Sequence, residues 1–123
     1  MAVPKETIWK RAPHTAAKHQ LLEWYLQAWF PILGRYRRRI VYLEGFAGPG
    51  EYTEGEVGSP LVAIDVALAQ QDHLKHEVVF YFIEADKNRA VHLRELVAKR
   101  EDEGLPDTFK VFVEQGEFEP TFS

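Results

Sequence analysis

Ile40-Val41-Tyr42-Leu43-Glu44-Gly45-Phe46-Ala47-Gly48-Pro49-Gly50 decides how this chain folds. A short apolar run closes on an acid and opens into a glycine-rich turn. Residues 40–43 therefore read as a buried strand that delivers its carboxyl end to a ligand, with glycines letting backbone approach it. Working downstream, residues 51–58 are polar and read as a loop. Ser59-Pro60 starts a helix, with Ser59 as cap and Pro60 in the first turn; Leu61, Ile64, Ala67 and Leu68 give it an apolar face as far as Gln70. Residues 78–83, Val-Val-Phe-Tyr-Phe-Ile, form an unbroken β-branched and aromatic run suited to a strand covered on both faces. It ends at Glu84-Ala85-Asp86. A helix follows over 88–101 with Val91, Leu93, Leu96 and Val97 inward, broken by Gly104 and Pro106. A third strand spans 109–113, with Gly116-Glu117-Phe118 beyond it.

Upstream, residues 1–13 read as an extended arm bracketed by Pro4 and Pro13, with Ile8 and Trp9 able to pin it. Residues 15–33 read as a helix whose apolar face is Leu21, Trp24, Tyr25, Ala28, Trp29 and Ile32. Pro31 tightens its last turn and Gly34 stops it. Arg35, Arg37, Arg38 and Arg39 come next, and a solvated turn explains them better than phosphate contacts do. Alternating helices and strands mean a parallel sheet. The expected fold is α/β and Rossmann-like: about three parallel strands, the N-terminal half of a doubly wound sheet, preceded by an N-terminal helix. The domain occupies 14–123 and ends early. The open edge of residues 40–43 then invites a partner strand, a second copy of the chain included.

Composition bounds the rest. The chain has 123 residues, a formal charge of −4, 46% apolar and 28% charged residues. One small globular domain fits, and a globally basic nucleic-acid wrapper does not. The absence of cysteine excludes disulfides, thiolate zinc sites and a cysteine nucleophile, and fits a reducing cytoplasm. No stretch is long and apolar enough for a membrane span.

Ligands of open α/β sheets bind beyond the carboxyl ends of the strands, and three features fall there. The first is the turn with Glu44, Gly45, Phe46, Gly48 and Gly50. The second is Glu84, with Asp86 as competitor, placed to accept ribose hydroxyls. The third is Glu117 and Phe118, placed for an adenine. Together they describe an adenosine-type pocket. No Gly-Lys-Ser/Thr triplet is present for a P-loop, and an acidic loop with Glu51, Glu54 and Glu56 separates the turn from its helix, so a pyrophosphate is disfavoured. S-adenosylmethionine, cationic and free of phosphate, fits better than NAD. His14 and His19 are spaced wrongly for a shared metal, so no metal is expected. Glu84, Asp86 and Lys87 only weakly suggest a metal-dependent nuclease, and Asp65 stands alone on its helix.

Pro13-His14-Thr15-Ala16-Ala17-Lys18-His19, Tyr25 through Leu33, the Tyr42–Gly50 stretch and Gly58-Ser59-Pro60-Leu61 resemble the three-Cys-motif partner protein family over roughly residues 8–118. That family is similar to class I S-adenosylmethionine-dependent methyltransferases. The resemblance implies a methyltransferase-like cofactor-binding half, catalytic residues unknown, with a protein bearing three cysteines as partner. It also implies that His14, Lys18 and His19 cover the cofactor or touch the substrate. The alternative is an interaction module that keeps the fold without turnover.

Overall fold

The computed structural model describes residues 8–45, 47–53 and 55–117. Its elements are α1 (Pro13–Tyr36), β1 (Arg39–Gly45), α2 (Ser59–Ala69), a single 3-10 turn (Gln71–His73), β2 (Glu77–Glu84), α3 (Lys87–Gly104) and β3 (Phe109–Gln115). The strands pair in the order β1-β2-β3, all parallel, with Tyr42 opposite Phe80 and Phe80 opposite Val111. This is the expected α/β, Rossmann-like arrangement. Among the described residues no helix is long and apolar enough to cross a membrane.

Strand alternation sorts side chains onto two faces. Ile40, Val78, Phe80, Phe82 and Phe109 share one face and are buried beneath the helices; Phe80 and Phe82 are fully enclosed. Their rings meet at 6.2 Å, and Phe80 meets Phe109 at 5.8 Å. On the opposite face Val41, Leu43 and Phe112 remain about half exposed. The expectation of a strand covered on both faces holds best for the central β2, whose Val79 is buried on the opposite face, while the flanking β1 and β3 are covered on the helix side only.

Helix α2 is sandwiched between α1 and the sheet. Seven of its eleven residues are buried, so it shows no polar stripe along most of its length. Its N-cap is Gly58, and Ser59 is not the cap its sequence suggests.

Helix α1 departs most from the sequence reading. It runs through Pro31 and past Gly34 to Tyr36. Gly34 is no stop: a Cβ there would sit 2.1 Å from the carbonyl oxygen of His73, so the glycine lets α1 lie against the 3-10 turn. The apolar face read from spacing is also the wrong one. Leu26 and Phe30 are buried, with Leu22 and Leu33 packed against the core. Leu21, Trp24, Tyr25, Trp29 and Ile32 are exposed. The helix carries apolar residues on more than one side, and periodicity alone does not say which stripe α2 takes. In α3 the inward set is Ala90, Leu93 and Val97, while Val91 points out.

Candidate site at the carboxyl ends of the strands

The glycine turn follows β1 and is held by the next strand. Gly48 (φ +77°) and Gly50 (φ +92°) occupy the left-handed region that side chains disfavour. A Cβ on Gly50 would approach Leu93 Cδ1 to 2.7 Å, so the turn lies directly on α3. The Ala47 N–H donates to the Ile83 carbonyl at 2.9 Å, and the Gly58 N–H donates to the Gly50 carbonyl at 2.7 Å.

Glu84 ends β2 and is buried, 6% exposed. Its Oε1 accepts from the Gly48 N–H at 2.9 Å and its Oε2 from the Asp86 N–H at 2.7 Å. The carboxylate therefore joins the glycine turn to the β2–α3 turn, where a charge-assisted bond to each amide compensates its burial. Asp86 is the N-cap of α3, accepting from the Arg89 N–H at 3.0 Å through Oδ1. The Gly116 N–H donates to the Glu84 carbonyl at 2.9 Å, which brings the end of β3 to the same place. Glu117 is exposed beside it. Phe46 and Phe118 lie outside the described residues.

A second group surrounds Glu44. Its Oε1 accepts from the Tyr42 hydroxyl at 3.0 Å and its Oε2 from the Ser59 hydroxyl. Tyr42 and Glu44 stand two apart on one strand and so share a face. Burial raises the Glu44 carboxyl above its ordinary range, and the two hydroxyl bonds offset only part of that. Burial, followed by the nearby Glu44 charge, pushes the Tyr42 phenol upward too. Both Glu44 oxygens are thus satisfied by neutral donors.

The loop over 51–58 is a small hairpin, closed by a Glu51–Val57 bridge and a Tyr52 N–H to Glu56 carbonyl bond of 2.8 Å. Its acids are partly compensated: Glu51 meets His92 at 2.7 Å, and Glu56 meets Arg11 at 3.8 Å. The segment before α1 lies across this hairpin. The Trp9 carbonyl accepts from the Thr53 N–H at 3.1 Å, and the Trp9 ring sits edge-on to Tyr52. The Arg89 guanidinium stacks over Trp9 at 4.7 Å. His19 reaches the loop, its ring 5.9 Å from Tyr52, and burial followed by the Arg11 charge lowers its pKa. His14 and Lys18, by contrast, are exposed.

The structure thus gathers Glu44, Gly48, Gly50, Glu84, Asp86 and Glu117 at one end of the sheet, with His19 at the neighbouring loop. The sequence did not single out Arg11, Tyr42 or Tyr52, nor the role of Ser59. Only Tyr42 carried a signal, its period-two spacing from Glu44. Among the described residues no group of three or more His, Asp or Glu side chains is placed to hold a metal. No family model, curated protein or solved structure matches this chain.

Proposed function

We propose that the carboxyl end of the sheet binds S-adenosylmethionine, and that the chain is the cofactor-binding half of a methyltransferase-like protein. The observation that carries this reading is Glu44: a half-buried carboxylate at the end of β1, bonded to the neutral hydroxyls of Tyr42 and Ser59, with its charged form penalised. A cationic ligand would relieve that penalty, whereas a phosphate would add to it. In this reading Glu44, Gly45, Phe46, Gly48 and Gly50 wrap the methionine end, Glu117 and Phe118 face the adenine, and His19 lies over the entrance. Glu84 and Asp86 share the ribose. Each Glu84 oxygen has one backbone donor and keeps a further lone pair, and Asp86 keeps the oxygen that does not cap α3. The bound cofactor would supply an activated methyl group on its sulfonium; this chain's residues bind and orient it.

The resemblance to three-Cys-motif partner proteins supports the same reading and names a protein with three cysteines as partner. A non-catalytic interaction module is the second reading, favoured by the exposed apolar side chains of Val41 and Leu43 on β1. The nuclease reading is weaker, since Glu84 is engaged with two backbone amides and Asp86 caps a helix. Titration calorimetry with S-adenosylmethionine, its demethylated product, NAD and ATP tests the proposal. Binding of the first two is expected; tight NAD or ATP binding with no response to S-adenosylmethionine overturns it.

A further inference from the structure

The amino ends of the strands, opposite the glycine turn, gather two segments that are far apart in sequence. Gly34 packs against the His73 carbonyl, and the Arg38 carbonyl accepts from the Glu77 N–H at 3.2 Å. Residues 34–38 and 73–77 are therefore tied together at both ends. Arg35, Tyr36, Arg37 and Arg38 stand beside Lys75 and His76, and all six are exposed, Tyr36 at 71%. Residues 34–39 and 72–77 hold five of the chain's 15 basic residues and only two of its 19 acids, Asp72 and Glu77. Glu77 is bridged to Arg39 at 2.9 Å, and among the described residues Arg35, Arg37, Arg38 and Lys75 have no ion pair. The carboxyl end of α1 accounts for Arg35, in its last turn. It does not account for Arg37 and Arg38, which lie beyond the helix, or for Lys75, which comes from another segment. The arginine run alone reads as a solvated turn; a second basic segment set against it changes that reading.

We propose that this end of the sheet binds single-stranded nucleic acid. Guanidinium forks match phosphate oxygens in pairs. The backbone at Arg37 is extended (φ −123°, ψ 142°) and leads straight into β1, so successive arginines alternate in direction and a sugar-phosphate chain can cross among them. Tyr36 supplies an aromatic surface on which a base can stack. An acidic peptide would satisfy the cations but leave the exposed ring unused. A strand of seven residues separates this patch from Glu44 and Glu84 by roughly 20 Å. It therefore anchors a nucleic acid away from the strand-end site, and it stands whether or not S-adenosylmethionine binds there.

The probe is a fluorescein-labelled oligonucleotide about 12 nucleotides long, as oligo(dT) and as oligo(U). Anisotropy is followed on the full 123-residue chain at salt concentrations from about 0.05 to 0.2 M. Binding that persists at about 0.15 M is expected, with log affinity falling against log salt at a slope of about −2 to −3, as about four phosphate contacts require. Either oligonucleotide upholds the proposal, and the tighter one names the nucleic acid. Arg37→Ala combined with Arg38→Ala is expected to weaken binding about tenfold or more and to flatten the slope by about 1. Tyr36→Ala is expected to weaken it about tenfold with the slope unchanged. Lys99→Ala, at an exposed cation on α3, is expected to change nothing. These side chains are all exposed, so thermal unfolding is expected to hold in every variant. The proposal is overturned by loss of binding at about 0.15 M salt, or by an equal response to Lys99→Ala. It is equally overturned if polyglutamate competes as well as unlabelled oligonucleotide and Tyr36→Ala has no effect, which would assign the patch to an acidic protein.

Discussion

The two faces of the sheet are built from the same kinds of residue and end in opposite environments. Phe80 and Phe82 have no exposed surface, while Phe112, in the neighbouring strand, is 47% exposed. Val78 is buried and Val41 is not. Hydropathy does not separate these positions; the placement of the helices does. Both crossovers return on one side, and α1 joins them there. An apolar strand residue reports that some layer is expected on its face, not that this chain provides it.

The sharpest way to break this contrast is to truncate one aromatic on each face. Phe80→Ala is expected to cost about 3–5 kcal/mol, through lost transfer energy and the cavity left behind. Phe112→Ser is expected to cost about 1 kcal/mol, through its cross-strand contact with Tyr81 at 6.0 Å. Urea unfolding of both variants measures the difference, and similar costs would mean that the bare face is covered in solution.

Gly50→Ala comes next. It forces a side chain into a left-handed backbone position and onto Leu93, so the covered face is disturbed from the site side. A loss of about 1–3 kcal/mol is expected, with S-adenosylmethionine binding lost as well. A stable variant with intact binding would separate the turn from the core.

At the ligand, Glu84→Ala is expected to weaken S-adenosylmethionine roughly tenfold or more, since it removes a ribose acceptor and frees the Gly48 amide. Asp86→Ala is expected to have the smaller effect. Calorimetry ranks them, and a reversed order transfers the ribose to Asp86.

Glu44 gives a pH signature. Its folded pKa lies above the unfolded 4.5, so the native state holds the proton more tightly. Its contribution to stability is therefore greatest at low pH and declines as pH rises above about 4.5 through the folded value. Glu44→Gln is expected to flatten that slope in thermal melts while weakening the cationic cofactor. A steeper slope would contradict the burial argument.

The smallest effect belongs to Arg100, which grips Asp65 with two bonds of 2.9 and 3.1 Å between α3 and α2. Asp65 is not the isolated surface acid that its sequence suggests. The pair is partly solvated, so Arg100→Ala is expected to cost about 0.5–1 kcal/mol in urea unfolding.

The parallel sheet, the element sequence and the gathering of Glu44, Gly48, Glu84 and Asp86 were legible because they follow from local runs and from the rule that ligand sites form beyond strand ends. Three things were not. The buried stripe of α1 depends on which side α2 approaches. Gly34 resembles a helix stop but answers a carbonyl from residue 73. Ser59 resembles a cap but answers a carboxylate fifteen residues earlier. Each is set by a neighbour distant in sequence, and local spacing holds no record of it.

Trp9 has a consequence for the order in which the chain assembles. It rests on Tyr52 and Arg89, so the earliest described part of the chain finds its place against parts synthesised much later. On a ribosome the first strand and its glycine turn would emerge while Trp9 still lacked both supports, and the hairpin beneath it would stay unlatched until α3 had formed. Contacts of such long sequence separation close slowly. The latch over the hairpin therefore closes only once α3 has emerged, long after the strand and turn it covers.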